Sequence, residues 1–201
     1  MKNICVFASG FGSNFQAIID ACKKKKIKKG HVTLLITDNK NAYARQRARK
    51  AGIDQIYCNP KDFPSKKDWE KHLGSILKKH RIDLVVLAGF MRILSPYFVR
   101  QFMDKTINIH PALLPAFPGA HAIKDAFDYG VKVTGVTVHF IDEKVDHGPI
   151  ILQESLEVKK TDSLKTLEKK IHKVEHRLYP KAINILLSGK YRIRNSRKVS
   201  L

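Results

Sequence analysis

Asn3-Ile4-Cys5-Val6-Phe7-Ala8-Ser9-Gly10-Phe11-Gly12-Ser13-Asn14 is the stretch whose reading decides the fold. A short apolar run meets two glycines, and beyond them Phe15, Ile18, Ile19 and Cys22 recur at helical spacing. That is strand, tight turn, helix. Glycines let the backbone turn sharply, and the amides that open the new helix point outward at an anion. Ser13 adds a hydroxyl and Asn14 a side-chain amide. The stretch is not a dinucleotide fingerprint, because Phe15 stands where the third glycine of Gly-x-Gly-x-x-Gly belongs. Asp38, at the end of the next strand, imitates the ribose-binding acid of dehydrogenases, but an NAD-dependent enzyme is weakened by Phe15.

Outward from this unit the alternation continues. The pattern predicts a strand over 31–37, a helix over 42–51 stopped by Gly52, and a short strand over 53–57. After a proline-containing loop, Ser65 caps a helix reaching to about residue 80, in which Trp69 reads as core packing. Residues 82–88 are continuously apolar, as in strands covered on both faces. Strands and helices in alternation imply a Rossmann-like α/β fold, a mainly parallel sheet flanked by helices. Ligands in such sheets sit at the C-terminal ends of the strands. Both the glycine turn and Gly89-Phe90-Met91-Arg92-Ile93-Leu94 fall there.

The second half changes character. A helix over 121–129 ends at Gly130, and residues 131–141 and 150–158 read as two antiparallel strands forming a C-terminal extension of the sheet. Thr161-Asp162-Ser163 opens a last long helix with Leu164, Leu167, Ile171, Val174 and Leu178 on one face. We expect one domain over 1–189, with halves at 1–100 and 101–189, and a basic tail at 190–201 that frays.

Between the halves lies Thr106-Ile107-Asn108-Ile109-His110-Pro111. Alternation turns Ile107 and Ile109 one way and Asn108 and His110 the other. Pro111, Pro115, Pro118 and Gly119 then forbid a regular helix or central strand, so a stiff loop follows. An amide and an imidazole at a strand end can be a satisfied polar pair, or they can be chemistry. Val138-His139-Phe140-Ile141-Asp142-Glu143-Lys144-Val145-Asp146-His147-Gly148-Pro149 favours chemistry, since here too a strand runs into an acidic turn and a Gly-Pro stop.

Asn108-x-His110-Pro111 followed by Asp146-x-Gly148-Pro149 resembles the folate-dependent formyltransferases, and more narrowly those that formylate phosphoribosylglycinamide (GAR) in purine synthesis. Gly89 to Leu94 carries the same resemblance, which runs in order from Gly10 to Pro180. It implies the formyltransferase fold and direct transfer, through a tetrahedral intermediate, of the formyl group of 10-formyltetrahydrofolate to the amine of GAR. The products are N-formyl-GAR and tetrahydrofolate. It implies that Asn108, His110 and Asp146 are catalytic. Gly12, Ser13 and Asn14 would hold the ribose phosphate, and Glu175, in Glu-His-x-x-Tyr-Pro, the ribose hydroxyls. The folate would meet Lys66, Met91, Arg92, Ile93, Leu94 and Asn108. Lys66 falls where relatives commonly have an arginine, keeping the charge without the planar fork. Relatives also suggest a cis Leu114–Pro115 bond.

The residue types suit that reaction. Asn108 and a protonated His110 can donate to a developing oxyanion. His110 can also shuttle the proton that the attacking amine loses and the leaving nitrogen gains. A neighbouring Asp146 orients the ring and favours its charged form.

Composition sets the remaining bounds. The chain has 201 residues, 43% of them hydrophobic, enough for a proper core. No apolar run reaches the roughly 18 residues of a membrane span. The N-terminus does not read as a signal peptide. Cys5, Cys22 and Cys58, an odd number without paired spacing, argue for reduced thiols in the cytoplasm. Among nine histidines and three cysteines, no His-x-x-x-His or Cys-x-x-Cys pair reads as lying near a third ligand, so no metal is expected. The formal charge of +20 is unusual. It could signify nucleic acid, but neither the lysine run at 23–29 nor the tail is interleaved with an RNA-reading motif. A positive field also steers small anionic substrates. We therefore expect small-molecule partners, no membrane, and a monomer or homodimer. Methionyl-tRNA formyltransferase, formyltetrahydrofolate hydrolase and a non-catalytic basic RNA-binding module are the alternatives; the first two usually carry a further domain, and the third leaves Asn108, His110 and Asp146 unexplained.

Overall fold

The computed structural model describes residues 1–189, 191–194 and 198–200. The first half is β1 (Lys2–Phe7), α1 (Ser13–Lys23), β2 (Gly30–Thr37), α2 (Ala44–Ala51), β3 (Asp54–Tyr57), α3 (Lys66–Lys79) and β4 (Leu84–Leu87). Then come α4 (Pro96–Phe102), β5 (Thr106–His110), α5 (Ala122–Tyr129), β6 (Val133–Phe140), β7 (Ile150–Glu157) and α6 (Leu164–Ser188). Two short strands follow, β8 (Arg192–Arg194) and β9 (Lys198–Ser200). The strand order is β3-β2-β1-β4-β5-β6-β7-β9-β8. The first five strands run parallel, and β6 runs antiparallel to both of its neighbours, β5 and β7.

The period-two alternation of the strands sorts their side chains into two cores. Ile4, Val6, Leu84, Val86, Ile107 and Ile109 pack with Phe15 and Ile18 of α1 and the apolar face of α6. Cys5, Phe7, Val85 and Leu87 pack on the other face with Trp69, Leu73 and Leu77 of α3 and Phe98 of α4. A strand such as Leu84-Val85-Val86-Leu87 is apolar throughout because helices cover it on both sides. Trp69 is fully buried, and its indole N–H donates to the Cys58 carbonyl at 3.1 Å. Ser65 caps α3 by accepting from the Asp68 amide.

α6 starts with a capping box between Ser163 and Thr166 and runs through Pro180 to Ser188. The proline costs one backbone hydrogen bond. It sits beside Tyr179, whose buried hydroxyl faces the carbonyls of Leu87 (2.8 Å) and Ile107 (3.1 Å) and so ties α6 to the ends of β4 and β5. Burial pushes the Tyr179 phenol far up, keeping it a donor.

The expected fraying after Gly189 does not hold for the residues described there. β8 and β9 form an antiparallel pair, and β9 runs parallel to β7, meeting it at Ile150–Lys198. The physical reason is the free edge of β7, whose unpaired amides and carbonyls offer a template to any extended segment within reach. Basic composition reports solvation; it does not prevent backbone pairing.

Candidate active site

At the parallel sheet's centre, β1 lies between β2 and β4, so the chain crosses from one side of the sheet to the other. The turns leaving β1, β4 and β5 open at the same edge and enclose a cavity of about 770 Å³. Gly12, Ser13 and Asn14 line it, together with the 89–94 loop and with Asn108, His110 and Asp146.

The glycine turn is shaped by close approach. Gly12 has φ +71°, and a Cβ there would sit 2.9 Å from the Ala44 Cβ of α2. Only glycine lets the turn adopt that angle and pack so tightly. α1 then begins at Ser13 without a side-chain cap, leaving its first amides for a ligand. Asn14 is buried: its Nδ2 donates to Glu175 at 3.2 Å, while its Oδ1 has no partner. Glu175 also accepts from His172 Nδ1 at 2.7 Å, and that bond is the main reason the His172 pKa is raised. The turn and α6 thus present an imidazole whose charged form is favoured, a carboxylate and an orphan acceptor.

The 89–94 loop is stitched down from behind. The Ser9 amide donates to the Gly89 carbonyl (3.0 Å), and the Met91 amide donates to Ser9 Oγ (2.9 Å). Arg92 Nε donates to the buried Asp38 carboxylate at 2.5 Å. Asp38 therefore does not play the dehydrogenase part it imitates in sequence; it anchors this loop. The backbone groups of Arg92 and Ile93 make no hydrogen bond to other described residues, and Met91 and Ile93 expose their side chains at the rim. An edge of free amides and carbonyls beside apolar side chains suits a flat heterocycle. Lys66 is the first residue of α3 and does not line the cavity.

The centre is a network around Asp146. His110 is almost fully buried; its Nε2 donates to the Phe117 carbonyl at 2.8 Å and its Nδ1 lies 3.3 Å from Asp146 Oδ2. Both ring nitrogens therefore face acceptors, an arrangement that an imidazolium satisfies with two N–H donors. The same Oδ2 accepts from the Gly119 amide at 2.8 Å. Asn108 Nδ2 approaches Asp146 Oδ1 at 3.4 Å and His139 Nε2 at 3.3 Å. His139 Nδ1 donates to the Phe140 carbonyl at 2.7 Å, which leaves Nε2 as the acceptor of the neutral ring. Burial pushes the His139 pKa down, so that neutral form is favoured.

Phe117 and Asp146 both have φ +51°. Such angles are strained for residues other than glycine, and strain persists where surroundings impose it for function. These two residues are the ones that hold His110. The Leu114–Pro115 peptide, just before Phe117 in sequence, is cis.

Gly148 explains the Asp-x-Gly-Pro spacing. A Cβ at 148 would lie 1.9 Å from the Phe140 carbonyl oxygen. The segment has to press against that backbone because the Phe140 amide donates to the Pro149 carbonyl. Gly148→Ala is expected to lose about 1–3 kcal/mol of stability or more and to displace Asp146, read as a lower melting midpoint together with lower activity. An unchanged melt would show that the loop relaxes freely.

The structure brings Asn108, His110, Asp146, Gly12, Ser13, Asn14, Glu175 and residues 91–94 to the lining of one cavity, and leaves Lys66, expected to meet the folate, outside that lining. Sequence reading missed His139 and His172. His139 was legible in principle: it pairs with Asn108 in the β5–β6 register, and alternation along β6 puts it on the Asn108 face. His172 sits one helical turn before Glu175, a spacing that predicts contact once Glu175 is assigned.

The fold and this site define a formyl transferase: the model of the Formyl transferase family matches residues 2–183, and the chain belongs to that family. The phosphoribosylglycinamide formyltransferase of Bacillus subtilis is 43% identical over 187 residues, 93% of this chain and 95% of that protein. The Drosophila melanogaster trifunctional purine biosynthetic protein adenosine-3 is 42% identical over 94% of this chain, which spans only 14% of that protein's length. Among solved structures, glycinamide ribonucleotide transformylase 1 from Symbiobacterium toebii superposes with a TM-score of 0.96 at 42% identity, covering 100% of this chain and 94% of that one.

Proposed function

We propose that this chain transfers the formyl group of 10-formyltetrahydrofolate to the amine of GAR, giving N-formyl-GAR and tetrahydrofolate in purine biosynthesis. The observation that carries the reading is that Asn108, His110 and Asp146 line one cavity with the Gly12 turn, whose helix amides are uncapped, and with the 89–94 loop, whose backbone groups at Arg92 and Ile93 are free of hydrogen bonds to other described residues. The names of the relatives point the same way.

On this reading the first amides of α1 at Ser13 and Asn14 take the substrate phosphate, with His172 adding charge beside them. Glu175 takes ribose hydroxyls. The loop of Met91, Arg92, Ile93 and Leu94 takes the pterin. The neutral amine nitrogen attacks the formyl carbon, the C=O π electrons move to oxygen, and Asn108 Nδ2 donates to that oxyanion. Its contact to Asp146 is long, so this N–H is free to be redirected. The amine nitrogen gives up a proton and the departing folate nitrogen receives one, with His110 as carrier. Collapse restores the carbonyl and breaks the bond to folate. Asp146 holds His110 in place and balances its charge. The enzyme acts in the cytoplasm as a single domain over 1–189, with the phosphate site in residues 1–100 and the catalytic groups in 101–189. Among the described residues no helix is long and apolar enough to cross a membrane.

The test is formyl transfer from 10-formyltetrahydrofolate followed as folate product, with and without GAR. Product only with GAR supports the transferase. Product without it would overturn the phosphate role of the Gly12 turn and indicate a hydrolase.

Asp38→Asn removes the charge that anchors Arg92. It is expected to raise KM for the formyl donor roughly ten-fold and to leave kcat and KM for GAR within about two-fold, since only loop placement is lost. Equal changes in both KM values would contradict it.

A further inference from the structure

A second cavity of about 660 Å³ lies outside the catalytic one, in the groove between α1 and α6. Lys24, Lys26 and Lys181 converge on it, and none has an ion-pair partner among the described residues. Among the described residues the one acidic side chain in its wall, Asp20, accepts a hydrogen bond from Gln16. Arg177, also in the wall, is paired with Glu154. Three unpaired cations facing one groove repel one another unless an anion joins them.

Two further features say what kind of anion. At the end near the glycine turn stands Phe11, 64% exposed. Its ring is stacked on Tyr43 at 5.0 Å with 10° between planes, and the Arg47 guanidinium lies 4.5 Å from its centroid. Held in this way it is a fixed flat platform with area still open to solvent, the chemistry on which a heteroaromatic ring stacks. Between the platform and the lysines, His176 lines the groove and its buried Nε2 has no hydrogen-bond partner. From Ser13 to Lys24 the helix rises about 16 Å, so ring and cations are separated by roughly the length of an extended nucleoside triphosphate.

We propose that the α1–α6 groove is a second ligand site for a nucleoside polyphosphate, its ring on Phe11, its ribose by His176 and its phosphates on Lys24, Lys26 and Lys181. The site is distinct from the substrate phosphate position, which lies on the cavity side of the Gly12 turn. Ser13 and Phe11 border both cavities, so occupancy of one is felt by the other through α1's first turn.

The test is calorimetric titration of the full chain with ATP, with tripolyphosphate and with adenosine, in the presence of saturating GAR. ATP is expected to bind one-to-one, tripolyphosphate several-fold more weakly, and adenosine more weakly still. Lys24→Gln combined with Lys181→Gln is expected to weaken ATP at least ten-fold with melting midpoint and formyl transfer unchanged. Phe11→Ala should bring ATP down to the level of tripolyphosphate. Absence of saturable ATP binding, binding untouched by the lysine substitutions, or displacement of ATP by GAR would each overturn the proposal. Tripolyphosphate binding as tightly as ATP would overturn the nucleoside part, making free polyphosphate the ligand. None of these outcomes depends on whether GAR proves to be the formyl acceptor, because GAR enters only as a competitor.

Discussion

His110→Ala is expected to lower kcat for formyl transfer by about 10³-fold, within the range general acid–base groups contribute, while KM for GAR stays within about two-fold. The split follows from position. The proposed phosphate site is Gly12, Ser13 and Asn14 at the start of α1, whereas His110 ends β5 and its ring nitrogens face Phe117 and Asp146. Asp146→Ala should lose activity similarly, because it removes the carboxylate that faces Nδ1 and accepts from Gly119. The two substitutions act on one unit, so the double variant should be little worse than either alone. Steady-state kinetics of the three variants checks this, with melting curves to separate lost chemistry from lost folding. Full activity in His110→Ala would remove the imidazole from the mechanism, and strictly multiplicative losses would show that Asp146 acts independently of it.

Asn108→Ala is expected to cost about 10²–10³-fold in kcat, the effect of deleting one oxyanion donor. Here the structure adds a second consequence. Asn108 Nδ2 bridges Asp146 and the neutral His139, so its loss leaves the buried His139 Nε2 without a partner and costs stability as well. Asn108→Asp separates the two effects. It keeps the volume but sets a carboxylate oxygen against Asp146 and against the oxyanion, so activity should fall further than in the alanine variant. Kinetics and thermal melts on both variants read the difference. Equal kcat in the two would mean that this position does not face developing negative charge.

The site was legible to different depths at different residues. Asn108 and His110 could be read as a pair because strand alternation is local: a period of two puts them on one face whatever the rest of the chain does. The Gly12 turn was legible because the φ that glycine permits is a local property too. Lys66 shows the limit. Its position was carried over by resemblance, and it lies at the start of α3 outside the cavity lining, since a helix terminus is placed by how the helix packs and not by its own sequence. Asp38 shows another limit: position at a strand end suggested a ribose ligand, and an arginine 54 residues away claimed the carboxylate instead.

By itself the sequence determined the alternation of strands and helices, the two-sided burial of the central strands, the caps at Ser65 and Ser163, and the residue types gathered for acyl transfer. These depend on periodicity and backbone preference, which act over a few residues. Tertiary structure alone decided that Asp146 would reach His110, that His139 would stand behind Asn108, that Asp38 would anchor Arg92, and that 192–194 and 198–200 would pair beside β7. Each of these joins groups far apart in the chain, where contact depends on which strands become neighbours and in what register, and no local preference encodes that.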